Sequence, residues 1–393
     1  MLTTSKIDPS GSDSQPLSFR DKLRWLPPKW LFRFLNWLGF RPAPVQALMD
    51  ASMFMLPQWM YAVAKLNIPE MLHHGAMTSS DIASKVDANP DRIDRLMHAL
   101  CQQGYFKLSL SNGTERWLNT AKTEVLIESH PNTIRPLLLH WVEDCYGPST
   151  RLLDALSSQA SAFELYHEQP GMDFFSDYLE SRPTSHAQFA NAMTASSAFT
   201  DRAVMDDFSW SRFDSVIDIG GSRGSFILPL MDKYTKLKAT IFDLPNVIEA
   251  SERTLSDSTM NSSGRLTFQA GNFFDQDTIP RIGANSAFIL RNILHDWSDS
   301  KCEKILSNLA SAMTGQDSRI ILIELGRAGN RERSNMERGR TTIDLLMMTM
   351  FAGKERTTDE FKGLLNAAGL ELVAIHKTRS IAQVVEAKLA TAN

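Results

Sequence analysis

The sequence predicts an α/β protein: a doubly wound parallel sheet behind a mostly α-helical N-terminal region that carries a winged-helix arrangement. Three observations predict it. Five short β-rich runs alternate with helical stretches after Trp210, which is the pattern of parallel strands joined by helical crossovers. The first run, SVIDIG, opens into Gly220-Gly221-Ser222-Arg223-Gly224 and then a helical stretch, SFILPLMDKY. Upstream, two helices are followed by a pair of short strand candidates.

Residues 1–18 are polar, rich in Ser, Asp and Pro, and are expected to be disordered. Residues 20–41 carry Trp25, Trp30, Trp37, Phe32, Phe34 and Phe40 among six basic residues. Such a segment could lie in a membrane interface, but Pro27-Pro28 splits the helix and leaves no strong polar face. Packing over the body of the protein or a second subunit is favoured over membrane association. Together these residues form an N-terminal extension, 1–43. From Pro44 the pattern is helical. TSSDIASKV starts on a Ser/Thr cap, and NPDRIDRLMHALCQQGYF places Ile93, Leu96, Met97, Leu100 and Cys101 on one face. FKLSL and ERWLN read as strands around the turn Ser111-Asn112-Gly113. Further helices fill residues 126–205, so 44–205 is read as a helical winged-helix domain used for dimerisation and for roofing a pocket. In the remaining domain, 206–393, the strands are Ser215–Ile219, Ala239–Phe242, Leu266–Gln269, Ala287–Leu290 and Arg319–Ile323. An antiparallel edge hairpin, ELVAIHKT and IAQVVEAKL, closes it.

A chain of 393 residues is long enough for two or three domains, and 22% charged residues is ordinary for a soluble globular protein. The net charge of −4 leaves no footprint for nucleic acid. The wing region agrees, since residues 78–123 hold six Lys/Arg against five Asp/Glu. Three cysteines, Cys101, Cys145 and Cys302, lie far apart without metal-type spacing. With no apolar run of membrane length and no signal-peptide core, a cytoplasmic location is expected.

The glycine turn lets the backbone approach a ligand ahead of a helix N-terminus. Asp243 follows Gly224 by nineteen residues, at the end of the next strand, where an acid accepts from ribose hydroxyls. The order D-x-G-G-x-x-G departs from the dinucleotide fingerprint. Asp218, just inside the strand, would repel a pyrophosphate but suits the cationic amino-acid portion of S-adenosylmethionine. In GNFFD, Asn272 could bond the adenine edge while Phe273 lies against the ring. LRNILHDWSD runs from a strand into a loop bearing His295, a natural general base by its near-neutral pKa. Taken alone, a His-Asp pair in a loop is an ordinary hydrogen-bonded surface feature.

VIDIGGSRG, FDLPNVI, GNFFD, LRNILHDWSD, ILIE and MFAGKERT appear in one order between Val216 and Thr357. In this the chain resembles the S-adenosylmethionine-dependent small-molecule O-methyltransferases of the caffeic-acid and hydroxyindole type, over about residues 45–390. The resemblance implies a homodimer held by the winged-helix region, in front of a Rossmann-like class I methyltransferase domain. It also implies O-methylation of a hydroxyl on an aromatic small molecule of the kind secondary metabolism makes. By the same resemblance Gly220 and Asp243 match the cofactor loop and ribose acid, and Asn272 and Phe273 the adenine positions. Arg291 matches a basic residue near the cofactor, Trp297 a residue beside the adenine and Ser197, more loosely, a serine near the cofactor's carboxylate. His295 matches the general base, and Glu324 and Glu355 the carboxylates flanking it. Met193, Met347, Met350 and Phe351 match substrate-pocket residues. Position 272 carries Asn where the family has an acid, and position 222 carries Ser where it has glycine.

On this reading the enzyme deprotonates a hydroxyl and aligns it with an already activated methyl group, which needs no metal. The alternative is a repurposed member, a cyclase, hydroxylase or decarboxylase that binds S-adenosylmethionine without methyl transfer. The intact His295, Glu324 and Glu355 weigh against it.

Overall fold

The computed structural model describes residues 42–391, apart from 112, 256–262, 316, 328–333 and 352. The N-terminal extension with its aromatic and basic segment lies outside the described residues, but for its last two positions. The described residues fall into two compact units, one up to Ala62 and one from Val63. The first contains the helix Ala43–Ser52, started by prolines, and a 3-10 turn, Met53–Met55. Its Leu48 and Phe54 are exposed. No helix among the described residues is long and apolar enough to cross a membrane.

In the second unit the wing forms as its sequence dictates. Thr78 caps the helix Ser79–Lys85 in a reciprocal capping box with Asp81, and Asn89 caps Pro90–Gln102. That helix buries Ile93, Met97 and Leu100, the apolar stripe visible in the sequence. Strands β1 (Phe106–Ser111) and β2 (Thr114–Asn119) pair antiparallel. Trp117 of β2 is buried, and its indole N–H donates to Ser79 Oγ at 2.8 Å, tying the wing to the first helix.

The remaining strands are β3 (Ser215–Ile219), β4 (Lys238–Asp243), β5 (Leu266–Ala270), β6 (Ser286–Arg291), β7 (Arg319–Glu324), β8 (Leu370–Lys377) and β9 (Gln383–Leu389). They form one sheet in the order β5-β4-β3-β6-β7-β9-β8. The five central strands are parallel, and β9 runs antiparallel to β7 and β8. β6 is apolar on both faces because helices cover both. Phe288 and Leu290 pack toward the helices Asp299–Ser311 and Thr358–Ala367, while Ile289 packs toward Ile227–Lys233. The order reverses between β3 and β6, which opens a crevice beyond their carboxyl ends.

The long helix Pro183–Asp207 supplies one wall of that crevice. Trp210 fixes its end to the sheet. The indole is fully buried, donates to Val204 O at 3.3 Å and meets the rings of Phe208 and Phe226 edge-on. Trp210→Ala is expected to lower the free energy of unfolding by roughly 3–5 kcal/mol. Urea denaturation measures it, and a loss below about 1 kcal/mol would contradict this anchoring role.

Candidate active site

A cavity of about 1130 Å3 lies over the carboxyl ends of β3, β4 and β6, more than one drug-sized ligand needs. At the β3 end Gly220 has φ +70°, and its N–H donates to Phe242 O at 2.8 Å. A Cβ there would come within 2.6 Å of Ile293 Cδ1, so the missing side chain keeps the loop against the β6 loop. Ser222 has φ +48°, in the left-handed region that favours glycine. That accounts for the glycine expected there and leaves the serine strained by about 1 kcal/mol. Its N–H donates to Asp243 Oδ2 at 2.9 Å, and the Leu244 N–H donates to Oδ1 at 2.8 Å. Asp243 is thus held rigidly at the cavity wall. Burial pushes its carboxyl upward, and these two N–H groups oppose the shift.

The other cofactor candidates are placed unevenly. Asn272 and Phe273 line the cavity, and Asn272 Oδ1 accepts from the Phe274 N–H at 2.9 Å. One lone pair of that oxygen and the amide nitrogen remain for a ligand. Trp297 also lines the cavity, edge-on to Phe273 and Phe274, with Lys301 Nζ 4.6 Å from its ring centre. Arg291 reaches the wall but is already paired. Both Asp201 oxygens accept from it at 3.0 Å, as does Ser225 Oγ. Ser197 is buried and donates to Thr194 O at 3.1 Å; it does not line the cavity, whereas Ser196 and Thr200 of the same helix do. Asp218 is buried behind the loop, against the position a Gly221 Cβ would take, and burial raises its pKa to about 7.

His295, Glu324 and Glu355 come together although far apart in sequence. His295 Nδ1 lies 2.8 Å from Glu355 Oε1, and Glu355 Oε2 accepts from the Gly326 N–H at 2.9 Å. A carboxylate accepts, so Nδ1 donates to Glu355, and Nε2 is the nitrogen on the side of Asp296. Glu324 acts one step back. Its Oε1 accepts from the N–H groups of Ile293 and Leu294 at 3.2 and 2.9 Å, which shapes the loop bearing the histidine. Its Oε2 is buried 4.0 Å from Nδ1 with no hydrogen-bond partner among the described residues. Burial works against the imidazolium, but Asp296, Glu355 and Glu324 outweigh it and raise the His295 pKa to about 10. Burial likewise raises Glu324 to about 7. The three ligand atoms lie within 4.8 Å of one another, close enough to chelate a cation. Chelation would have to break the His295–Glu355 bond.

Met193, Met347, Met350 and Phe351 all line the cavity, and Phe351 stacks on Phe175 at 5.5 Å and 5°. Four contributors were not singled out from the sequence. Asp296 lines the cavity with Oδ1 3.5 Å from His295 Nε2. Phe175 and Phe189 complete an aromatic wall. Arg356 sits in the same short motif as Glu355, fully buried. It donates to Leu294 O at 2.6 Å and Trp297 O at 2.7 Å, on either side of the histidine, and to Asp299. Gly353 makes the close approach possible, since a Cβ there would collide with His295 O. The sequence signal was the motif itself, but only packing tells which of its residues touch the loop.

Arg356→Met is expected to cost roughly 3–5 kcal/mol of unfolding free energy, because it strips partners from buried carbonyls. Denaturation of the two proteins tests it, and an unchanged midpoint would contradict the clamp.

The O-methyltransferase domain family matches residues 150–371, and the O-methyltransferase dimerisation domain matches 49–129. The chain is 26% identical over 335 residues to 8-amino-8-demethylriboflavin N,N-dimethyltransferase of Streptomyces davaonensis, covering 84% of this chain and 90% of that protein. The solved structure of LaPhzM superposes with a TM-score of 0.80 at 26% identity, over 89% of this chain and 100% of that one. An O-methyltransferase from neocarzinostatin biosynthesis, solved with S-adenosylmethionine and 2-hydroxy-5-methyl naphthoic acid, does so at 0.69 and 26% identity, covering 85% and 96%. With the domain match spanning more than half of its length, the chain belongs to the O-methyltransferase family.

Proposed function

We propose that this chain transfers the methyl group of S-adenosylmethionine to a hydroxyl of an aromatic small molecule, with His295 as general base. The observation that carries the proposal is the His295–Glu355 bond, which engages Nδ1 and leaves Nε2, beside Asp296, as the nitrogen for a ligand in the cavity that Asp243 also lines. S-adenosylmethionine supplies an activated methyl group, so the protein need only bind, orient and take a proton. Asp243 and the Gly220 loop are its ribose and backbone contacts, with Asn272, Phe273 and Trp297 around the adenine. Arg291 acts through Asp201, positioning the wall of the site. Met193, Met347, Met350 and Phe351 hold the flat acceptor, and the polarizable thioethers suit a ring face. The solved relative that holds a hydroxynaphthoic acid supports an aromatic acceptor. The intact base and carboxylates favour methyl transfer over a repurposed, non-transferring use of the fold. We infer a homodimer from the dimerisation-domain match, with 44–205 as dimerisation and roof domain and 206–393 as the cofactor half.

Proton transfer is easiest between matched groups. A phenol ionises near 10, and the carboxylates around His295 raise its pKa in that direction, which narrows the gap that proton transfer to the ring must cross. Only the neutral ring is a base. Raising its pKa therefore moves the rising limb of kcat/KM against pH to the alkaline side.

Incubation with labelled S-adenosylmethionine and a panel of phenols is expected to give labelled methyl ethers and S-adenosylhomocysteine. His295→Ala should retain cofactor binding and lose roughly 10²–10⁴-fold in transfer rate. Full activity in that variant would remove the base assignment. Glu355→Gln takes away a charge that raises the ring's pKa, so the rising limb should move to lower pH while the maximum falls. A limb that stays in place means another group titrates.

A further inference from the structure

A second buried polar cluster faces the same cavity from its roof, apart from the base and its carboxylates. The turn Trp141–Cys145 that follows the helix Arg135–His140 is π-helical, and the wider turn brings the residues four and five beyond His140 back to its side. His140 Nδ1 lies 2.7 Å from Asp144 Oδ2, and Tyr178 donates its hydroxyl to Asp144 Oδ1 at 2.9 Å. Both oxygens of the carboxylate are thus engaged, and as an acceptor it requires the proton on Nδ1. With Nδ1 so engaged, Nε2 is the nitrogen left for a ligand. Among the described residues its one hydrogen-bond neighbour is Cys145 Sγ at 3.7 Å, a weak donor. Burial and the adjacent Asp144 push the thiol pKa up, so the sulfur keeps its proton and gives no stronger bond.

His140, Asp144 and Cys145 are all buried, and His140 and Cys145 line the cavity. An aromatic wall joins this cluster to the base. His140 meets Phe189 edge-on at 5.3 Å, Phe189 meets Phe175 at 5.8 Å, and Phe175 lies 6.0 Å from Trp297, two residues beyond His295. His140 and His295 line this one cavity, with Phe175 and Phe189 on its wall. A buried acceptor with so weak a partner favours any ligand that brings a real donor.

We propose that His140 is a second polar contact for the acceptor, taking a hydrogen bond from a hydroxyl or ring N–H at the end remote from the methylated hydroxyl. The acceptor class is therefore a multi-ring aromatic with two polar ends, of which the far one donates. Asp144 and Tyr178 are positioning residues that hold the ring in the accepting tautomer. This rests on the proposed function only for which end reacts.

Equilibrium binding separates the two ideas, because it needs no turnover. Two- and three-ring phenols are titrated calorimetrically into the full chain saturated with S-adenosylhomocysteine, each beside the analogue in which the far hydroxyl is replaced by hydrogen. At the best far position the hydroxylated member is expected to bind roughly five- to tenfold more tightly, the worth of one hydrogen bond. His140→Phe should abolish that difference while leaving the affinity for the simple phenol nearly unchanged. Asp144→Asn keeps the volume but releases the tautomer, and should shrink the difference; nitrogen-15 NMR of the imidazole should show the Nδ1 proton preference weaken. Equal or absent binding of every pair, or a preference that survives His140→Phe, overturns the proposal. If His140→Phe fails to fold, Asp144→Asn decides by the same comparison. Loss of methyl transfer with these binding preferences intact would count against the proposed function alone.

Discussion

The site depends on keeping a basic imidazole buried beside three carboxylates. A lone charge of either sign would be expelled from such a place or neutralised, so each group is tolerable only because of the others. Glu355 binds the ring directly, Glu324 braces the N–H groups of the loop beneath it, and Asp296 stands at the open nitrogen. Arg356 ties the same loop from its carbonyl side and brings the segment that carries Glu355 against it. Removing the bulk of a side chain at Gly353 lets the two segments meet. The chemistry proposed for the histidine is thus a property of two crossing loops.

The proposed cofactor and acceptor sides meet on β6. Its carboxyl end runs into Arg291 and then His295, so one strand sets the distance between the wall of the proposed cofactor crevice and the proposed base. The parallel sheet makes this possible by placing the ends of β3, β4 and β6 at the same edge. The proposed acceptor side is built differently. Its roof comes from short helices and two π-helical turns, Trp141–Cys145 and Phe174–Leu179, whose rings and polar groups have no regular spacing. A rigid cofactor crevice with an irregular roof suits a family in which one reaction serves many acceptors.

The strands of the sheet were legible in the chain almost residue for residue, because fully buried parallel strands are short apolar runs broken by turn residues. The wing was legible for a similar reason: caps, an apolar stripe and an Asn-Gly turn each have a local cause. Asp243 and Gly220 stand at the cavity where the motif order implied, and so do Asn272, Phe273 and Trp297. Ser197 is turned inward and Arg291 is spent on Asp201, neither of which local pattern reveals. The strain at Ser222 likewise appears only once the backbone angle is known.

LRNILHDWSD, read by itself, specified a strand, a loop and a histidine able to act as a base, since these follow from short-range hydrophobicity and side-chain chemistry. Family membership is written in the same local motifs. Which carboxylate touches His295 and which braces its loop, that Arg356 clamps both sides, and that His140 lines the same cavity as His295 were decided by the tertiary structure. Those relations join residues up to 155 positions apart (His140 to His295 the widest), and their energies depend on burial and distances that no local pattern carries.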